Sequence, residues 1–291
     1  MLDISVIIPT FNRSEQLVRA LESIANQRAK PSEIIVIDDG STDDTGTTIA
    51  DYSVRTNVAI RYLHQINRGP AAARNRGIAE ASKPYLAFLD SDDEWHRDKL
   101  SLQYQAFKSA PEYLISHTKE RWLKNGQHLN QKKYHIPLHG DIFAQSLRLC
   151  CVGMSTVMAR RELFASCGLF NESLRCCEDY DFWLRVSAFE SFYLVEKRYT
   201  IKHGGRPDQV SNIFRVGMDR FRIQALAHLV TTSSLKSEQR RAACLELNKR
   251  CTIYATGCKK HDKREEATYY LRLADHFRQK RSPSLGPGVK L

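Results

Sequence analysis

The chain has 291 residues, 42% of them hydrophobic, and 44 Lys and Arg against 33 Asp and Glu give a formal net charge of +11. That length and apolar content suit one large α/β domain with a smaller appendage and exclude a disordered chain. No run approaches the roughly 18–20 apolar residues of a membrane-spanning helix, and Met1-Leu2-Asp3 enters the first apolar run without a basic or apolar leader, so a soluble cytoplasmic protein is expected.

The first element is a strand, ISVIIPT, closed by Pro9, after which Phe11-Asn12-Arg13-Ser14 leads into a helix with Leu17, Ala20, Leu21 and Ile24 on one face. A break at Lys30-Pro31 precedes a second strand, EIIVIDDGSTDDT, ending in the paired carboxylates Asp38 and Asp39. Strand, helix, strand is a βαβ unit of a parallel sheet, in which ligands sit beyond the strand ends. A third strand is expected over 58–66, a helix over 71–81 and a buried strand over 85–89.

That last strand runs straight into Asp90, Ser91, Asp92, Asp93 and Glu94. Carboxylates this dense repel one another unless a cation sits among them, and a divalent metal holding a diphosphate is the commonest such cation. Asp92 or Asp93 could serve as a helix N-cap, but capping does not require Asp90 as well.

Further along, a helix is expected over 95–109, polar strand and loop over 111–140, a strand over 154–159, a short helix over 161–166 and a helix opening at Glu178. Glu178-Asp179-Tyr180-Asp181 then occupy a first helical turn, where the dipole favours anions whatever their function. After a strand YLVEKRYTIK come His203 and the Gly204-Gly205 pair, and 212–232, 236–258 and 262–279 read as amphipathic helices, the last two an antiparallel hairpin. The organisation expected is an α/β domain over 1–211, a helical extension over 212–280 and a disordered tail over 281–291.

The eight cysteines have no metal-ligand spacing; Cys244, Cys251 and Cys258 recur every seven residues on one helix face, and reduced, mostly buried thiols are expected. Basic residues crowd the last third of the chain, as solvated helix faces or as a surface for anionic lipid or an anionic acceptor, and the same helices could dimerise. No nucleic-acid-binding motif accompanies the charge.

PTFNR at 9–13, DDGSTDDT at 38–45, NRGPAAARNRG at 67–77 and LDSDDEW at 89–95 resemble, in order and spacing, the motifs of family 2 glycosyltransferases of the GT-A fold, which move a sugar from a nucleotide diphosphate donor. The resemblance covers roughly residues 3–211. It implies an inverting transferase of this α/β fold, a sugar donor linked to a nucleotide (UDP by preference), a carbohydrate or lipid-linked acceptor, and Mn²⁺ or Mg²⁺ as cofactor. By the same likeness Pro9, Thr10, Phe11 and Asp39 would contact base and ribose, and Arg74 and Asn75 the nucleotide or its diphosphate. Asp90, Ser91 and Asp92 would face the diphosphate and metal, His203 would complete the metal shell, and Asp179, after the turn Gly168-Leu169-Phe170-Asn171-Glu172, would be the catalytic base. Two departures stand out. Arg97 replaces a proline common in the family, and the Q-x-x-R-W motif of processive synthases is absent, which implies transfer of a single sugar. A non-catalytic shell of this fold that binds anionic polymers is the alternative, and a nucleotidyltransferase lacks its Gly-rich loop here.

Overall fold

A computed structural model describes residues 1–279; the tail expected to be disordered lies outside them. The first half alternates strand and helix: β1 (Leu2–Thr10), α1 (Ser14–Ala25), β2 (Pro31–Asp38), α2 (Thr45–Thr56), β3 (Arg61–His64), α3 (Pro70–Glu80) and β4 (Tyr85–Phe88). Then come β5 (Glu94–Trp95), α4 (Lys99–Ser109), β6 (Ile115–Lys124), β7 (Gln127–Leu129), α5 (Phe143–Arg148), β8 (Met158–Arg160), α6 (Glu162–Cys167), α7 (Glu178–Ser187) and β9 (Phe192–Gly204). Four helices close the described chain: α8 (Val210–Ile213), α9 (Met218–Thr232), α10 (Ser237–Lys260) and α11 (Arg264–Gln279).

One sheet runs in the order β3-β2-β1-β4-β8-β6-β9-β5, with β7 beside β6. β1 to β4 are mutually parallel where they pair, and β8 joins β4 and β6 antiparallel. β1 lies in the interior of the sheet, between β2 and β4, and both its faces are apolar. Val6 and Ile8 pack with Leu17 and Leu21 of α1, while Ile7 packs on the opposite side with Phe88 and Trp183. The chain leaves β1 towards β2 on one side while β4 flanks it on the other, so the strand ends part and open a crevice. α3 approaches β1 closely at Gly77, where a Cβ would collide with the Cγ2 of Ile7.

A second apolar cluster joins α9, α10 and α11 to α5 and α7, with Leu226, Leu229, Leu247 and Cys251 at its centre. α7 belongs to both cores: Phe182, Trp183 and Val186 face the sheet, and Tyr180, Leu184 and Ala188 just beyond it face the helices. No described helix is long and apolar enough to cross a membrane. No disulfide links the cysteines among the described residues, and Cys244, Cys251 and Cys258 are buried along one side of α10.

Several elements differ from the sequence reading. The helix expected from 95 begins at Lys99, because Glu94-Trp95 pair with Thr200-Ile201 as β5 and the Trp95 indole donates to the Ser155 carbonyl at 2.7 Å. The strand expected at 154–159 opens as a 3-10 turn, Met154–Thr156, and extends only from Met158. The third strand is confined to Arg61–His64, and the helix expected over 212–232 is broken at Gly217, whose φ of +87° is left-handed backbone that glycine adopts most easily. α5 was not anticipated.

Candidate active site

The carboxyl ends of β1, β2 and β4 face a cavity of about 670 Å³, within the size range of small-molecule sites. At one end it is lined by Pro9, Thr10, Phe11, Arg13 and Asp39, in the middle by Asp90, Ser91, Asp92, Asp93 and Arg74, and farther on by Glu178, Asp179, Cys150, Cys177 and Lys202. Four separated sequence motifs meet there because each ends a strand or starts a helix at the same edge of the sheet.

At the first end Asp39 holds a loop. Its Oδ1 accepts from the Gln65 amide at 2.7 Å and the Arg68 N–H at 2.9 Å, and its Oδ2 from the Gly69 N–H at 2.8 Å. Thr10 is buried and its hydroxyl has no hydrogen-bond partner, while Phe11 is 45% exposed at the cavity rim. An unpaired buried hydroxyl beside an open aromatic face suits a ligand with both polar and flat apolar parts.

In the middle, Arg74 is the organising side chain. Its Nη2 lies 2.8 Å from Asp90 Oδ1 and its Nη1 2.7 Å from Glu178 Oε1, so α3 ties the end of β4 to the start of α7. Burial raises the Asp90 carboxyl, but Arg74, Lys202 and Arg13 outweigh it and hold the group below its ordinary value. Burial and the charge of Asp179 push Glu178 up, against the pull of Arg74. Asp93 is driven well up by burial and by Asp92 and Asp90, although Ser155 donates to it at 2.7 Å. Asp92 faces two guanidinium groups, Arg13 at 3.3 Å and Arg206 at 2.7 Å.

Asp179 stands in the first turn of α7. Its Oδ1 accepts the Tyr180 N–H at 2.6 Å and its Oδ2 the Cys150 thiol at 3.3 Å. Asp181 is fully buried, reaches Arg185 at 3.1 Å and does not line the cavity. Lys202 is surrounded by Glu120, Asp93, Asp90 and Asp179; burial disfavours its charge, yet these carboxylates raise it above an ordinary lysine.

Two expected residues lie elsewhere. The Asn75 side chain is consumed by the turn after α6, donating to the Phe170 carbonyl and Glu172, both at 2.9 Å, and accepting the Phe170 N–H at 3.0 Å. His203 Nε2 is 2.6 Å from Glu94 Oε1, and its neighbour Lys202 lines the cavity instead, because successive residues of a strand point to opposite faces. Arg13, Cys150, Lys202 and Arg206 were not singled out from the sequence. Strand alternation could have narrowed 202–203 to one inward residue without saying which.

The family model described as glycosyl transferase family 2 matches residues 5–167, more than half of the chain, which therefore belongs to that family. An uncharacterized glycosyltransferase of Rickettsia felis is 38% identical over 226 residues, 74% of this chain and 36% of the relative. The chain thus spans about a third of that relative. The GalNAc(5)-diNAcBac-PP-undecaprenol beta-1,3-glucosyltransferase of Campylobacter jejuni is 26% identical over 292 aligned residues, 96% of this chain and 85% of the relative. Among solved structures, S. aureus TarS 1-349 in complex with UDP-GlcNAc superposes with a TM-score of 0.71 over 94% of this chain and 79% of that one, at 21% identity. The fold is accordingly GT-A, as the motifs implied.

Proposed function

We propose that the chain transfers one sugar from a nucleoside diphosphate sugar, UDP-linked by preference, to an acceptor hydroxyl with inversion. The observation that carries this is a carboxylate, Asp179, that lines the same cavity as the acidic end of β4 and, unlike Asp90, Asp92 and Glu178, makes no salt bridge to an arginine among the described residues. The cavity end at Thr10, Phe11 and Asp39 takes the nucleoside, and the acceptor approaches from the α7 side. Asp179 accepts the hydroxyl proton as that oxygen attacks the anomeric carbon, a role a positioned base fills with roughly 10²–10⁴ in rate. Arg74 keeps Glu178 and Asp90 fixed beside it. With Glu178 bound to Arg74, no second carboxylate is free to act as the nucleophile that retention needs.

A divalent ion fits the middle of the cavity on one condition. Among the described residues no three His, Cys, Asp or Glu side chains gather to hold an ion by themselves. Mg²⁺ and Mn²⁺, however, are commonly held by one or two carboxylates with substrate phosphates completing the shell. Asp92 and Asp90 would hold the ion, with Arg206 yielding its place on Asp92, and Asp93, pushed up by burial and by the charges of Asp92 and Asp90, stands beside them. Bound there, Mn²⁺ or Mg²⁺ would neutralise the leaving diphosphate.

By likeness to the Campylobacter jejuni relative, the acceptor is a lipid-linked or polysaccharide glycan, with peripheral contact to an anionic membrane through basic residues such as Arg241, Lys259 and Lys260, which are exposed on α10. The test is Asp179→Asn, which preserves shape and removes the proton acceptor. Calorimetry with UDP and Mn²⁺ should give wild-type affinity while transfer falls by on the order of 10²–10⁴. Equal loss of UDP affinity and turnover would move Asp179 into the donor site.

A further inference from the structure

Beyond Asp179 the cavity continues to a wall formed by Cys177, Tyr180, Val210, Ile213, Met218 and Arg222. Sugar transfer as described above leaves this wall without a role. Its one cation is only partly committed. The Nη1 of Arg222 lies 3.3 Å from Asp219 Oδ1, and the same oxygen takes a shorter bond, 3.0 Å, from Arg250. The Nε of Arg222 is buried and has no hydrogen-bond partner. The cations at the donor end are differently placed, since Arg13, Arg74, Lys202 and Arg206 all face carboxylates of the acidic cluster. Arg222 and Asp179 line the same cavity.

A guanidinium that lines the cavity also lined by Asp179, and whose buried Nε lacks an acceptor, is suited to receive an anion. We propose that Arg222 binds an oxyanion, phosphate or carboxylate, carried by the acceptor next to the sugar whose hydroxyl Asp179 deprotonates. The apolar side chains of Val210, Ile213 and Met218 cover the ring or chain beside that anion. This rests on the glycosyl-transfer reading and adds the chemical class of the acceptor.

The test uses the full chain with UDP-glucose and UDP-GlcNAc as donors and Mn²⁺ present. Three acceptors share one sugar: a neutral glycoside, the corresponding uronate, and the sugar joined through diphosphate to a short polyprenyl chain. The wild type should favour at least one anionic acceptor over the neutral one by roughly 10- to 100-fold in kcat/KM, and the better of the two identifies the source of the anion. Arg222→Gln should reduce that preference to within about 3-fold, chiefly through acceptor KM, with Arg222→Lys between them and UDP affinity by calorimetry unchanged. A wild type indifferent to acceptor charge, or an Arg222→Gln that loses neutral and anionic acceptors alike or loses UDP affinity, overturns the inference and leaves sugar transfer standing. Absence of transfer to every acceptor overturns both.

Discussion

Replacing Arg74 with Met would remove the ion pairs that tie Asp90, at the end of β4, to Glu178, at the start of α7. Arg74 and Glu178 are 6% and 8% exposed at the side chain, so their contact is a buried pair, whereas Asp90 at 26% is partly screened. Stranding a buried carboxylate by removing its partner costs about 3–5 kcal/mol, and the screened arm adds about 1 kcal/mol or less. For a chain of this size that is a fall in Tm on the order of 10 °C. The loss should depend on pH in a set direction. Arg74 holds Asp90 below its ordinary value of 3.8, so this part of the native stability is present at neutral pH and disappears as pH falls through the lowered value. In the variant Glu178 lies buried without that cation and rises further above its unfolded value, while Asp90 loses part of its depression, so the variant regains stability relative to wild type as pH drops towards 4.5. Scanning calorimetry of both proteins from pH 7.5 to 4.5 measures the gap. A Tm loss under about 3 °C at pH 7.5, or a gap that widens on acidification, would refute the argument.

Three further outcomes follow from the geometry. Asp92→Asn should abolish Mn²⁺-dependent UDP binding in calorimetry without lowering Tm; wild-type metal dependence in that variant would remove Asp92 from the metal site. Arg206→Met frees Asp92 of a competing cation, so Mn²⁺ alone should bind a few-fold more tightly by titration, and weaker binding would mean that Arg206 does not compete with the ion. Leu247→Ala empties the centre of the helical core and should cost about 2–5 kcal/mol in denaturant unfolding, while a loss under 1 kcal/mol would show that α10 carries little of the stability.

Much of the cavity lining at the ends of β1, β2 and β4 was legible because its signals are local. A strand pattern that stops at acidic residues carries both the element and its functional edge in one stretch of sequence, and Asp39, Asp90 and Asp92 reach the cavity for that reason. Lys202 and Arg206 were not legible, because what brings them to the acidic cluster is the pairing of β9 with β6 and β5, whose partners lie some 80 to 110 positions away. Asn75 was misplaced for a related reason: it sits on the right helix one position from Arg74, but a rotation of about 100° per residue turns it towards the Phe170 turn. Trp95 read as the start of a helix because its preference for an edge strand depends on a partner, Thr200, that local periodicity does not see.

α7 is braced on two sides by different parts of the chain, and the family match ends at 167, ahead of it. The cavity end at Thr10, Phe11 and Asp39 rests on β1, β2 and β4, whose apolar clusters include no residue of the last three helices. Any event that loosens α9, α10 or α11, such as a cavity or a proteolytic cut, therefore falls first on the register of α7 and the aim of Asp179. Damage to the helical layer would yield a protein that still grips its donor but has lost the alignment for turnover, and hydrogen exchange would report it as early opening of α7 ahead of the sheet.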